Sequence, residues 1–162
     1  DHAAARLHES GMAAALTAQV DAGTPVLGVC LGMQLLLDES EEGTLPGLGW
    51  IPGVARRLPS ITTIGEVRVP HMAWASIDRT GSHRVLDGLD GRARYYFVHS
   101  YAAVPNDPDH VLATATYGDP FVAAIGRANV LGTQFHPEKS HRHGEALLAA
   151  FLLGSPIASG VS

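Results

Sequence analysis

The stretch Pro25-Val26-Leu27-Gly28-Val29-Cys30-Leu31-Gly32-Met33-Gln34 constrains this chain more than any other. Four uninterrupted apolar residues behind Thr24-Pro25 have the length and character of a strand covered on both faces of a parallel sheet. A helix of about two turns is expected directly after Cys30, through Leu37. A strand that turns straight into a helix strains its corner residue, and Gly28 and Gly32 relieve the crowding on either side. The corner residue is Cys30, the one cysteine among 162 residues. Its thiol is expected to stand exposed at the carboxyl end of the strand, where the first N–H groups and the dipole of the helix favour thiolate over thiol.

Composition removes several functional classes. The chain is 46% hydrophobic and 17% charged, which suits one domain with a real core. Its net charge of −5 comes without a run of one sign, so no nucleic-acid surface is indicated. Its longest apolar stretches fall far short of the roughly 20 residues that span a bilayer. A lone cysteine cannot close an internal disulfide, and a cytoplasmic location is expected.

The pattern along the chain reads as α/β with a mixed sheet flanked by helices. A short helix ends near Glu9 and a second covers 12–22, with the break at Ser10-Gly11 and Gly23 past the second helix end. An acidic loop covers 38–43. Between 45 and 70 the Gly and Pro spacing predicts turns and short strands, around 50–58 and 66–69. One strand is predicted over 94–104 and three shorter ones over 111–116, 121–127 and 130–135. A helix over 144–153 closes the ordered part, and 154–162 reads as a loose tail.

A cysteine nucleophile needs a base, and the base needs a group to hold it. Thr133-Gln134-Phe135-His136-Pro137-Glu138 supplies both. Pro137 disfavours helical geometry at His136, and in an extended chain the Glu138 carboxylate falls on the side used by the imidazole. Cys30 and His136 each follow a predicted strand, and parallel sheets gather functional groups at the carboxyl ends of their strands. A cysteine after an apolar run is, by itself, more often a small buried hydrophobe. The two segments together point to a Cys-His-Glu triad of Cys30, His136 and Glu138.

Gly28-Val29-Cys30-Leu31-Gly32-Met33-Gln34-Leu35-Leu36 and Gln134-Phe135-His136-Pro137-Glu138-Lys139-Ser140 resemble the two signatures of class I triad glutamine amidotransferases. Ser40-Glu41-Glu42-Gly43, Val69-Pro70-His71-Met72-Ala73-Trp74 and Tyr96-Phe97-Val98-His99-Ser100-Tyr101 narrow the likeness to the glutaminase subunits of imidazole glycerol phosphate synthases. The resemblance implies a flavodoxin-like three-layer fold over 1–153. It also implies glutamine hydrolysis through a thioester on Cys30, with ammonia passed to a (β/α)8-barrel cyclase subunit in a heterodimer that serves histidine biosynthesis. By position, Gln34, Glu42, Ser100 and Tyr101 would bind glutamine, Leu31 would supply an oxyanion N–H, and Trp74, Tyr96 and Lys139 would face the cyclase. As bare residues, Glu42 reads as a solvated member of an acidic loop and Ser100-Tyr101 as a plain strand end. Trp74 and Tyr96, as bare residues, read as core or partly buried aromatics, and Lys139 as an ordinary surface charge.

The family pattern carries roughly 50 residues before the position of Asp1, a sizeable part of one domain, including its first strands and a Pro-Gly-Val-Gly type loop with a second oxyanion N–H. Loss of one such donor typically costs about 10²–10³ in rate, so little glutaminase activity is expected of 1–162 alone. Ala73 and Ala75 replace the usual Gly and Asn around Trp74, which bears on partner contact more than on the triad. His136, His141 and His143 with Glu145 fit no common zinc spacing, so neither metal nor cofactor is expected. His71 and His99 are expected to serve structural hydrogen bonding at least as readily as chemistry. Two alternatives remain: a glutaminase serving another amidotransferase, and a docking module that binds a barrel partner without turnover.

Overall fold

A computed structural model describes residues 1–154. Helices α1 (His2–Glu9) and α2 (Met12–Asp21) form where expected, separated at Gly11, whose φ of 72° is left-handed. Strand β1 (Val26–Val29) runs into Cys30, and α3 (Leu31–Leu35) starts at the next residue. The helix stops short of the expected Leu37. The carbonyls of Leu35 and Leu36 are taken by the N–H groups of Leu48 and Ile51, and Leu36 and Leu37 turn into the core beside Met33 and Ile51.

Part of the acidic loop is strand. β2 (Glu39–Ser40) pairs in parallel with β3 (Gly53–Arg57), whose other edge takes β9 (Tyr101–Pro105) antiparallel. A small hairpin, β4 (Ile61–Thr62) with β5 (Gly65–Glu66), keeps only Glu66 of the strand expected over 66–69. An unexpected strand, β6 (His71–Ser76), follows and pairs with β8 (Arg94–His99) so that Trp74 lies opposite Tyr96. Ala73 and Ala75 sit in regular register opposite Phe97 and Tyr95.

The principal sheet orders β1, β12 (Val130–Thr133), β11 (Asp119–Arg127), β10 (Val111–Tyr117) and β7 (Asp78–Arg79). Only the β1 and β12 pair is parallel, which makes the sheet mixed as expected. β1 lies at its edge and has no second strand neighbour among the described residues; Gly28 alone of its four residues is buried.

The single strand expected over 94–104 is two strands in different sheets, broken at Ser100. The Ser100 carbonyl accepts the Leu58 N–H at 2.8 Å, outside either ladder. Helix α4 (His141–Leu153) begins three residues earlier than expected. The larger core gathers Tyr95, Phe97, Phe121, Leu131, Phe135 and Leu147 between the β8 ribbon, the principal sheet and α4. A smaller one packs Met33, Leu37, Ile51 and Ile125 between α3 and the sheet. No helix among the described residues is long and apolar enough to cross a membrane. The tail expected from 154 lies, beyond Gly154, outside the described residues.

Candidate active site

Cys30 sits at the corner between β1 and α3 with φ 50° and ψ −106°, the strained backbone its position predicts. Only one of the flanking glycines is sterically required. A Cβ on Gly28 would lie 2.8 Å from the Gly32 carbonyl, so β1 and α3 approach each other closely only because Gly28 has none. A Cβ on Gly32 would meet open space. The Cys30 N–H continues the parallel ladder to the Thr133 carbonyl at 2.7 Å, which ties the corner to the end of β12.

Strand β8 holds the Cys30 and His136 segments on alternate carbonyls. His136 donates its backbone N–H to the Tyr96 carbonyl at 2.9 Å, and the Cys30 S–H donates to the Val98 carbonyl at 3.7 Å. Carbonyls two residues apart in a strand project from the same edge, about 7 Å from one another. His136 is extended ahead of Pro137 as expected, with φ −99° and ψ 96°. Its Nδ1–H donates to Glu138 Oε1 at 2.6 Å, which leaves the lone pair on Nε2. Glu138 reaches the ring through a 3₁₀ turn, Pro137–Lys139, rather than along an extended chain. The His136 side chain is 15% exposed and its Nε2 has no hydrogen-bond partner among the described residues, whereas the Glu138 side chain is 51% exposed.

Burial pushes the Cys30 thiol up, and the Glu138 carboxylate adds to this; the Leu31 N–H, the Gln134 side chain and Lys139 pull the other way without overcoming it. The Leu31 N–H acts in the expected direction, but the thiol is half-buried where an exposed one was expected. Desolvation of a half-buried sulfur outweighs the donors of a five-residue helix.

Cys30, Leu31, Gln34, Glu42, His99, Ser100 and Tyr101 line one open cleft. The break at Ser100 lets the ends of β8 and β9 turn towards it. Every residue singled out for glutamine binding or the oxyanion lines this cleft, while His136 and Glu138 do not. Gln34 is buried, with its Nε2 donating to the Tyr101 carbonyl at 3.1 Å. Glu42 is exposed at the rim.

The model for the family described as Glutamine amidotransferase class-I matches residues 6–154. The chain belongs to the class-I glutamine amidotransferases. This amidotransferase is 47% identical over 152 residues to a protein of Bdellovibrio bacteriovorus named imidazole glycerol phosphate synthase subunit HisH, covering 93% of this chain and 74% of that one. It is 46% identical over 147 residues to subunit HisH 2 of Pseudomonas aeruginosa, covering 90% and 71%. Among solved structures it is similar to PurLQS from Thermotoga maritima, with a TM-score of 0.67 at 16% identity over 88% of this chain and 68% of that one. A GMP synthase subunit from Thermoplasma acidophilum gives a TM-score of 0.57 at 18% identity over 90% and 64%. These two likenesses concern the fold alone.

Several residues around the amidotransferase site were not singled out from the sequence. Ser140 is fully buried and locks the turn after His136: its hydroxyl donates to the His136 carbonyl at 2.6 Å and accepts the Tyr96 N–H at 3.0 Å. A side chain at Gly144 would collide with the Pro137 carbonyl, so α4 supports the Glu138 turn by close backbone contact. Gln134, fully buried, directs its Nε2 at the Cys30 sulfur. All three lie within or just after the second signature, which was the available signal.

His71 and His99 form a buried pair, Nδ1 to Nε2, at 3.1 Å. The Tyr101 carbonyl can only accept, so His99 Nδ1–H donates to it at 2.8 Å, and His99 Nε2 must accept from His71 Nδ1–H. Burial lowers both imidazoles to about 4, which makes them neutral structural groups. Trp74, Tyr96 and Lys139 form one patch: the two rings are 5.7 Å apart, and the Lys139 Nζ lies 5.9 Å above Tyr96. His141 stacks flat on Trp74 at 5.2 Å and extends it. Among the described residues no three His, Cys, Asp or Glu side chains gather to hold a metal.

Proposed function

We propose that this amidotransferase hydrolyses glutamine and supplies the ammonia to a cyclase subunit that makes imidazole glycerol phosphate and aminoimidazole carboxamide ribotide in histidine biosynthesis. Residues 1–153 act as one domain in this reading. The observation that carries it is the placement of Cys30 and the His136–Glu138 pair on neighbouring carbonyls of β8, with Cys30 opening on the cleft.

Cys30 Sγ attacks the side-chain amide carbon of glutamine as its proton passes to His136 Nε2. The Leu31 N–H receives the developing oxyanion. His136 then protonates the leaving nitrogen, ammonia departs, and a γ-glutamyl thioester remains on Cys30. With Nε2 again free, His136 draws a proton from water; the water attacks the thioester and releases glutamate and the thiol. Glu138 holds the ring through Nδ1 and balances the imidazolium charge. In the cleft, Gln34 and Glu42 meet the substrate's amino acid end, Glu42 pairing with the α-ammonium, while Ser100 and Tyr101 offer donors to the α-carboxylate. Ammonia passes to a (β/α)8-barrel subunit docked on the Trp74, Tyr96 and Lys139 face in a cytoplasmic heterodimer.

Identity of 46–47% to HisH subunits supports this acceptor over those of the nucleotide-pathway neighbours, which share only the fold at 16–18%. One arrangement favours a second reading, a docking module without turnover: the Cys30 S–H rests on Val98 and His136 Nε2 is unpartnered among the described residues. A diazo-ketone analogue of glutamine separates the two. A covalent adduct on Cys30 that disappears in Cys30→Ser is expected; a folded protein whose thiol stays unlabelled points to the docking module.

A further inference from the structure

The side chain of Gln134 is fully buried, and its orientation is dictated by a chain of hydrogen bonds that starts at a backbone carbonyl. The Tyr101 carbonyl can only accept, so the Gln34 atom 3.1 Å from it is the amide nitrogen. That same nitrogen lies 3.4 Å from the Gln134 side chain, which must present its oxygen there. The other end of the Gln134 amide is then the NH₂ group, and it lies 3.7 Å from Cys30 Sγ. The His71–His99 pair braces the origin of this chain, because His99 donates to the same Tyr101 carbonyl at 2.8 Å. Reversing the Gln134 amide would set two NH₂ groups against each other in the core and an oxygen against the sulfur.

We propose that Gln134 is a catalytic residue of the glutaminase site, its side-chain N–H holding the Cys30 sulfur in the thiolate form while Gln34 fixes the amide from behind. The proposal rests on Cys30 being the nucleophile. In the resting thiol the sulfur donates to the Val98 carbonyl and accepts from Gln134. Once the proton has left for His136, the Val98 carbonyl faces a negative sulfur and repels it. Gln134 and the Leu31 N–H are then the donors that remain, and both already favour the charged form. The other charged and titratable groups at this point are Glu138 and Lys139 after β12, with His99 and Glu42 around the cleft and His136 beside it. Glu138 opposes the thiolate and Lys139 supports it. Gln34 thereby gains a second role. Its amide connects the glutamine cleft to the nucleophile, so a ligand that pulls Gln34 from Tyr101 also loosens Gln134.

Because Cys30 is the only cysteine, the pH dependence of iodoacetamide alkylation reads this one thiol. Gln134→Leu removes the donor, and its alkylation midpoint is expected to rise by about one pH unit, with about tenfold slower alkylation at neutral pH. Gln134→Glu keeps the acceptor for Gln34 but turns an oxygen to the sulfur, and is expected to shift the midpoint further in the same direction. In the unaltered protein, the side-chain amide proton resonances of Gln134 should titrate with the midpoint of the thiol, a reading that needs no variant. A folded Gln134→Leu with an unchanged midpoint, or Gln134 resonances indifferent to thiol ionisation, overturns the proposal. A Cys30 that no electrophile reaches in the unaltered protein overturns instead the assignment of Cys30 as nucleophile.

Discussion

At the scale of single residues, the histidines of this chain fall into two kinds of hydrogen-bonded setting. His136 is oriented by Glu138 at 2.6 Å, whereas His71 and His99, equally conspicuous in the sequence, hold each other and, through His99, the Tyr101 carbonyl. The buried pair has a measurable consequence. Both imidazoles titrate near 4 in the folded protein against 6.5 for the ordinary group, so between these values the unfolded chain binds more protons. Their contribution to stability is complete above about pH 6.5 and is lost as the pH falls towards 4, with no further loss from these groups below that. Denaturant unfolding across this range should show the decline, and His71→Asn, which keeps a donor towards His99 but removes one titrating group, should flatten it. An unchanged slope in that variant would show that the decline comes from other groups. The sequence left the two histidines undecided between structure and chemistry, because only the 3.1 Å approach across paired strands reveals that each is the other's partner.

At the scale of elements, the corner between β1 and α3 is where local sequence speaks most directly. Val26–Val29, the strained Cys30 and the immediate start of α3 all follow from the residues as read. The two glycines, indistinguishable by spacing, differ in the folded chain. Gly28→Ala forces the Gly32 carbonyl away and is expected to cost about 1–3 kcal/mol by overpacking, while Gly32→Ala is expected to be neutral or slightly stabilising in α3. Chemical denaturation of both variants checks this; equal losses would mean that the close approach of strand and helix is not what the glycines serve. The 94–104 segment was legible as β structure but not as two strands. Tyr and Val stand on both sides of the break with no Gly or Pro to mark it, and the break exists because β6 claims one half and β3 the other. β6 itself escaped notice because its residues acquire strand character from the partner β8.

At the scale of the whole molecule, the His136 turn and the aromatic patch meet at one residue, Tyr96. Tyr96 carries the His136 backbone on its carbonyl, the Ser140 hydroxyl on its N–H and the Lys139 ammonium above its ring, and it faces Trp74 across the ribbon. A partner that docks on Trp74 and Tyr96 therefore sits next to the backbone of His136. Trp74→Ala is expected to weaken binding of the cyclase subunit by at least tenfold, a loss of about 1.4 kcal/mol, while leaving diazo-ketone labelling of Cys30 by the free chain unchanged. Titration calorimetry and mass spectrometry measure the two effects separately. Unaltered affinity would remove this patch from the interface.

The sequence by itself determined the strand, the corner and its thiol, the pairing of His136 with Glu138, and the helices at both ends, because each depends on neighbours within a few positions along the chain. It also carried the family in two short signatures. Tertiary structure alone decided the split at Ser100 beside the cleft and the neutrality of the His71–His99 pair. It alone decided that the Cys30 thiol is half-buried, with its ionisation disfavoured and Gln134 at its side. Those properties arise from desolvation and from hydrogen bonds between residues 28 to 104 positions apart, and neither is encoded in the local pattern of side chains.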